Sequence, residues 1–341
     1  MDISTLQLVW FVAVGFLFVG YFVLEGFDFG VGMLLPVLGR DDKERRVMIN
    51  TIGPVWDGNE VWVLVAGGAM FAAFPEWYAT LFSGFYLPLL LILLGLIVRA
   101  VAFEYRGKHD DARWRQRWDA CIIAGSALPA VLWGVAFGNI VAGVPLDADH
   151  EYAGTLLDLL NPFALLAGAV TASLFVTHGA VFIALKTVGD IRHRARRLAG
   201  RTGVVAVVLL TVLAVWHNLA HAGTGWVWAT TGVAAVGLVA ALGTNAAGRE
   251  GWAFAGTAVT IAATVSTLFL GLFPDVMPAS NDPAHTLTIA GASSSPLTLT
   301  IMSWAAAVAT PVVIAYQGWT YWIFRKRIGV QHMPDTAGGS A

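Results

Sequence analysis

Asp57 and Glu60 stand three residues apart in Gly53-Pro54-Val55-Trp56-Asp57-Gly58-Asn59-Glu60-Val61-Trp62, and the chain runs straight on into the apolar stretch 63–74. Three-residue spacing puts two side chains on one side of a helix. A charged residue at the centre of a membrane helix costs roughly 2.5–3.5 kcal/mol on insertion scales, so such acids face protein or water and are paired or protonated. Glu25 and Asp28 repeat the spacing in the first apolar run, and the third carries Arg99 and Glu104. Acids that gain and lose protons in an apolar setting are the parts of a proton relay. An arginine among them supplies charge balance, because a buried guanidinium keeps its proton and needs a partner.

Charged residues make up 12% of the 341 residues and hydrophobic ones 57%, with a mean hydropathy of +0.70. A soluble domain carries about twice that charged fraction. Apolar runs of about 18 residues or more define an all-α, polytopic transmembrane protein, and their unbroken apolar character excludes the alternating pattern of a β-barrel. The first run has no basic segment before it and no cleavage site, so it reads as a span and not as a cleaved signal. One cysteine, Cys121, rules out an internal disulfide. The net charge of −2 and the absence of basic arms argue against nucleic acid.

Hydropathy places about nine spans, near 6–36, 51–74, 79–104, 119–142, 162–187, 203–222, 226–246, 252–273 and 298–324. The first is long, and Gly26, Gly30, Gly32 and Pro36 suggest a break or tilt near its end. The sixth and seventh are divided only by a short turn at Gly223-Thr224-Gly225. Lys and Arg follow the first, third, fifth and last spans, while the loops at 75–78, 147–151 and 275–295 are poor in basic residues. The positive-inside rule then puts the N-terminus outside and the C-terminus in the cytoplasm. Residues 1–328 read as one integral membrane domain, and 329–341 as a short disordered cytoplasmic tail.

With that topology Glu25, Asp28, Asp57, Glu60, Arg99 and Glu104 all fall in the cytoplasmic halves of the first three spans. One reading is an ion-pair lock in which Arg99 holds Glu25 or Asp28. One arginine cannot balance four carboxylates, however, which leaves a protonatable acid for a relay. Trp56 suits a membrane interface, and Trp62, deeper, suits packing. His217 and His221, four residues apart, lie on one helix side and cannot be opposite axial ligands of one haem. His178 is the one histidine placed within the bilayer, and the remaining histidines fall in loops or the tail. No Cys-x-x-Cys-His, dinucleotide-binding or phosphate-binding motif is present, so the chain shows no cofactor site and no metal site of its own.

The segment Glu25-Gly26-Phe27-Asp28-Phe29-Gly30-Val31-Gly32 and residues 50–62, N-T-I-G-P-V-W-D-G-N-E-V-W, resemble subunit II of cytochrome bd-type quinol oxidases. Residues 83–86, Arg99 with 103–106, 134–139, 161–166 with Gly168, and 293–302 extend the resemblance in family order over nearly the whole chain. It is weakest between about 189 and 290. The Trp56-Asp57-Gly58-Asn59 block is its specific part, and Glu25 stands where the family more often has Asp. The resemblance implies nine helices, as two four-helix bundles plus one peripheral helix, in a bacterial plasma membrane. It further implies a haem-free subunit, inactive alone, that packs against a haem-bearing subunit I holding two b-type haems and one d-type haem. Small single-span subunits and a structural quinone are implied as further partners. The complex would oxidise quinol and reduce dioxygen to water. The residue matching Asp57 would serve the cytoplasmic proton path, with Glu25, Asp28 and Glu60 as candidates beside it, and Trp62 would stand at the mouth of an oxygen channel. Two other readings stay open: a proton-coupled secondary transporter, which the clustering of charge at one end disfavours, and a scaffold that only seals a partner from lipid.

Overall fold

The computed structural model describes residues 3–222 and 224–333. In order it comprises α1 (Thr5–Leu38), α2 (Asp42–Ile52), α3 (Trp56–Ala73), α4 (Pro75–Gly84), α5 (Tyr86–Tyr105), α6 (Ala112–Ala142), α7 (Pro162–Lys186), α8 (Asp190–His217), α9 (Gly225–Ala246) and α10 (Glu250–Leu272). A two-stranded antiparallel ribbon, β1 (Asp275–Met277) and β2 (Leu287–Thr288), then leads into α11 (Ile289–Ala292) and α12 (Pro296–Ile323). The helix starts are written in the sequence. Ser4 and Gln7 form a capping box at α1, and Asp41, Asp111, Asn161, Thr288 and Ser295 each accept an amide hydrogen bond at the start of a helix.

Among the described residues, eight helices, α1, α5, α6, α7, α8, α9, α10 and α12, are long and apolar enough to cross a membrane. Helix α3 is the ninth expected span. Its 18 residues reach about 27 Å, but Asp57, Asn59 and Glu60 make its first turns polar. Helices α1, α3, α5 and α6 form one group and α7 to α10 a second, joined where α7 packs along α1 and α6. Helix α12 lies outside against α1 and α3 with only Leu299 buried.

Several sequence expectations change. Helix α1 passes through Gly26, Gly30, Gly32 and Pro36 without a break. Its glycines serve contact instead: a Cβ on Gly30 would stand 2.0 Å from the Phe175 carbonyl oxygen and 2.8 Å from the Gly179 Cα. Backbones of α1 and α7 therefore touch, as small residues permit between membrane helices. Gly30→Val is expected to cost about 3 kcal/mol, since backbone cannot yield as a side chain can. Thermal melting of the detergent-purified protein checks this, and an unchanged midpoint would contradict it. The expected span 51–74 begins only at Trp56, because residues 53–55 turn the chain, and the span 79–104 is divided at Phe85 into α4 and α5. The turn glycine Gly223 and residues 334–341 of the tail lie outside the described residues.

Ion pairs tie one end of the bundle together. Amphipathic α2 lies across this end, with Arg45 on Asp119 at 2.9 Å, Arg106 on Asp42 at 2.7 Å and Arg194 on Glu44 at 2.6 Å. Arg106 follows α5 directly. Burial opposes its charge, but Asp119 and Asp42 outweigh burial and hold the guanidinium above its ordinary value. Buried Glu250 receives Arg192 at 2.8 Å and Arg327 at 3.3 Å. Main-chain bonds between Ile328 and both Lys186 and Val188 fix the segment after α12 to the α7–α8 connection.

Candidate functional site

Helices α1 and α3 run antiparallel, so the pairs Asp28–Asn59 and Gly20–Trp62 face each other. Their shared end also receives α5, whose Arg99 is fully buried. One guanidinium nitrogen of Arg99, Nη2, donates to Glu25 Oε1 and to Glu60 Oε2, the latter at 2.9 Å. Three helices thus meet on one cation. The guanidinium also lies 4.7 Å from the Phe29 ring centroid and 5.7 Å from that of Phe103, where aromatic faces favour positive charge.

Asp28 does not join this pair. Its Oδ2 accepts from Asn59 Nδ2 at 2.7 Å, and the same amide donates to the Leu24 carbonyl at 3.3 Å. Asn59 Oδ1 in turn accepts from Gln317 Nε2 at 2.9 Å and from the Tyr321 hydroxyl at 2.7 Å. One amide therefore connects α1, α3 and α12. Gly58 leaves room for this link, since a Cβ there would stand 3.3 Å from Gln317 Oε1. Replacing Asn59 by Leu would strand Asp28 and the Tyr321 hydroxyl without partners. The expected cost is about 3 kcal/mol, read as a lower melting midpoint, whereas an unchanged midpoint would show that the amide is dispensable.

Glu25 and Asp28 are fully buried and Glu60 is 19% exposed at its side chain, and of the three only Glu25 and Glu60 bond the guanidinium among the described residues. Among the described residues, Glu25 Oε2, Asp28 Oδ1, and Arg99 Nε and Nη1 have no hydrogen-bond partner. A buried group of this kind leaves donors and acceptors unspent where carboxylates outnumber cations.

Asp57 stands apart. It is exposed and makes no hydrogen bond or ion pair with the described residues, while Glu60, three positions on, reaches Arg99. Residues three apart differ by about 60° around a helix axis, enough at this boundary to put one acid inside and the other outside. Asp57 therefore lies at the same end of the bundle as the cluster but outside its interior. Glu104 is exposed as well. Trp56 packs on Phe103 with ring centroids 5.2 Å apart. Trp62 is half-buried over Gly20 and meets Phe16 edge-on at 5.9 Å.

Gln317 and Tyr321 escape a reading by charge, yet their four-residue spacing on apolar α12 is the polar stripe that would have revealed them. His178 is buried, with Nε2 3.2 Å from the Val23 carbonyl and Nδ1 2.6 Å from the Thr257 hydroxyl. A carbonyl only accepts, so Nε2 donates and Nδ1 accepts, and both nitrogens are engaged. His217 and His221 lie along one side of the helix end with ring centroids 6.4 Å apart. Neither arrangement supplies axial ligands to the two faces of one haem. Among the described residues no three His, Cys, Asp or Glu side chains gather to hold a metal ion.

With this geometry in view, residues 6–324 match the family described as cytochrome bd terminal oxidase subunit II. The chain belongs to that family. Subunit 2 of the cytochrome bd ubiquinol oxidase of Bacillus subtilis (strain 168) is 43% identical, over 95% of this chain and 97% of that protein. Subunit 2 of the cytochrome bd-I ubiquinol oxidase of Escherichia coli (strain K12) is 38% identical over 96% of each. A chain from the structure of the bd oxidase of Geobacillus thermodenitrificans superposes with a TM-score of 0.78, covering 94% of this chain and 99% of that one, at 14% identity. This last likeness speaks for the fold, an all-α polytopic membrane architecture. In this bd-oxidase subunit the resemblance first carried by residues 25–32 and 50–62 therefore extends through the stretch 189–290, where no motif is visible.

Proposed function

We propose that this chain is the second, haem-free subunit of a bacterial cytochrome bd-type quinol oxidase, and that its buried carboxylate–arginine cluster belongs to a proton-uptake path. The complex oxidises quinol and reduces dioxygen to water. Residues up to Ile328 work as one integral membrane unit, with the N-terminus outside and the basic end and tail in the cytoplasm. The haem-bearing subunit I carries two b-type haems and one d-type haem, and small single-span subunits and a structural quinone complete the assembly.

The observation that carries the proton-path reading is the meeting of Glu25, Glu60 and Arg99 in buried surroundings, with Asp28 one hydrogen bond away through Asn59. Asp57 sits at the same end on the outward face of α3, where a partner chain can reach it. A proton taken from the cytoplasm is handed by Asp57 across the subunit boundary, while the cluster sets the local charge. The unspent atoms of Glu25, Asp28 and Arg99 are places where water would bond. Trp62, between α1 and α3 and touching Phe16 and Gly20, is the residue proposed to flank oxygen entry.

Purification through a tag on this chain tests the assignment. Haem absorbance and quinol-dependent oxygen uptake are expected to co-purify with it. A chain isolated alone that drives proton-coupled solute flux would overturn the assignment in favour of a transporter.

A further inference from the structure

On the outer side of the second helix group an open groove of about 590 Å³ runs between α9 and α10. Along α9 it reaches from Ala229 to Thr244, about 22 Å of helix, and along α10 it takes in Trp252 to Val259. The hydrocarbon of one leaflet is about 15 Å deep, so the groove spans that of the leaflet at the basic end of the bundle. Apart from Thr244 and Trp252 its wall is Gly, Ala and Val. The Thr244 hydroxyl is spent on the Ala240 carbonyl at 2.7 Å. Such a surface offers dispersion contact to a hydrocarbon chain and little to a polar solute.

Cations gather where the groove ends at the α9–α10 turn. Gly248 in that turn has φ +77°, and the Arg196 guanidinium, reaching over from α8, lies 3.2 Å from where a Cβ on Gly248 would stand. Arg196 Nη2 donates to the carbonyls of Asn245 and Ala246 at 3.1 and 3.3 Å, while its Nε is buried with no hydrogen-bond partner among the described residues. Arg249 is exposed, and its side chain makes no hydrogen bond or ion pair with the described residues. Its main-chain N–H bonds the Thr244 carbonyl at 2.9 Å, which seats it at the end of the groove. Glu250, the next residue, is bonded by Arg192 and Arg327 and has Arg196 Nε 3.7 Å away. One carboxylate therefore answers three guanidinium groups, and Arg249 adds a fourth. A surplus of cations at the head of an apolar groove favours an anion that carries a hydrocarbon chain.

We infer that this seam binds one anionic phospholipid of the leaflet at the basic end, its phosphate on Arg196 and Arg249 and an acyl chain in the groove between α9 and α10. Guanidinium groups meet phosphate oxygens with paired, charge-assisted hydrogen bonds, and Arg249 gives up no bond to its own chain in turning to do so. Trp252, 70% exposed beside the turn, suits the headgroup depth at which indole rings collect. A zwitterionic headgroup brings its own cation and gains less from the surplus of positive charge. Bound in this way, the lipid ties α8, through Arg196, to the α9–α10 hairpin.

Photolabelling of the purified complex in nanodiscs tests this, with phosphatidylglycerol and phosphatidylcholine carrying the same diazirine-bearing acyl chains as probes. Phosphatidylglycerol is expected to label the groove segments of α9 and α10 at least about fivefold more than phosphatidylcholine. Arg249→Gln should lower the phosphatidylglycerol labelling about fivefold, and Arg196→Gln added to it should bring the two probes level. Ala240→Phe, at an exposed position in the wall, should abolish groove labelling by filling the space below the turn. Equal labelling by the two probes in wild type, or phosphatidylglycerol labelling unchanged by Arg249→Gln, would overturn the proposal. If the double variant does not fold, Arg249→Gln and Ala240→Phe still decide, since both positions are exposed. Inorganic phosphate separates the sources. Labelling by phosphatidylglycerol is expected to persist in millimolar phosphate at constant ionic strength. Its loss there would mean that the arginines hold the free anion and that the groove selects no lipid.

Discussion

Arg99→Leu is expected to remove this subunit, and the oxidase with it, from the membrane. The guanidinium is fully buried and holds Glu25 and Glu60, on helices α1 and α3, from a position on α5. Deleting it leaves Glu25 buried with no cation beside it. Removing one partner of a buried pair costs about 3–5 kcal/mol, a large part of the total stability of a typical domain. Arg99→Lys keeps the charge but reaches two carboxylates with a point charge in place of a planar group, so partial recovery is expected. Arg99→Leu combined with Glu25→Gln should recover more subunit than Arg99→Leu alone, because the stranded charge goes with it. Immunoblots of washed membranes read all three. Wild-type amounts of subunit in the single Leu variant would show that the cluster does not hold the helices together.

Much of this site can be read directly from the amino-acid sequence, because acids and arginines are rare in apolar spans and the loop charges assign each a depth. That depth puts Arg99 beside Glu25 or Asp28, and of the two it is Glu25 that Arg99 bonds. The partnership of Asp28 with Asn59 could not be read, since it depends on which way α1 and α3 rotate against each other. Gln317 and Tyr321 carry no charge and lie some 260 residues from Asn59 in the chain, so their spacing marks a polar stripe on α12 but only the docking of that helix shows that the stripe meets Asn59. The opposite fates of Asp57 and Glu60 turn on about 60° of helix rotation, finer than a shared-face argument resolves. The glycines of α1 were legible as exceptions but not as contacts. Glycine serves both bends and close approach, and only the position of α7 tells which.

Asp57→Asn carries the other large effect, and it is one of chemistry and not of folding. The side chain is exposed and makes no bond with the described residues of its own chain, so an isosteric amide should leave the subunit folded. An amide cannot accept and release a proton at this step. Turnover is expected to fall at least about tenfold, equivalent to about 1.4 kcal/mol on the limiting step. Glu25→Gln differs in kind. It removes a charge from the side of buried Arg99 and is expected to lower both assembly and activity.

Oxygen uptake and haem absorbance of Asp57→Asn and Glu25→Gln, each purified as the whole complex beside wild type, test the proton path most directly. The predicted result for Asp57→Asn is wild-type yield and an unchanged haem spectrum, with oxygen uptake reduced about tenfold or more. Asp57→Asn turning over at the wild-type rate would contradict a role for Asp57 in proton uptake, and loss of haem in that variant would assign it to assembly instead.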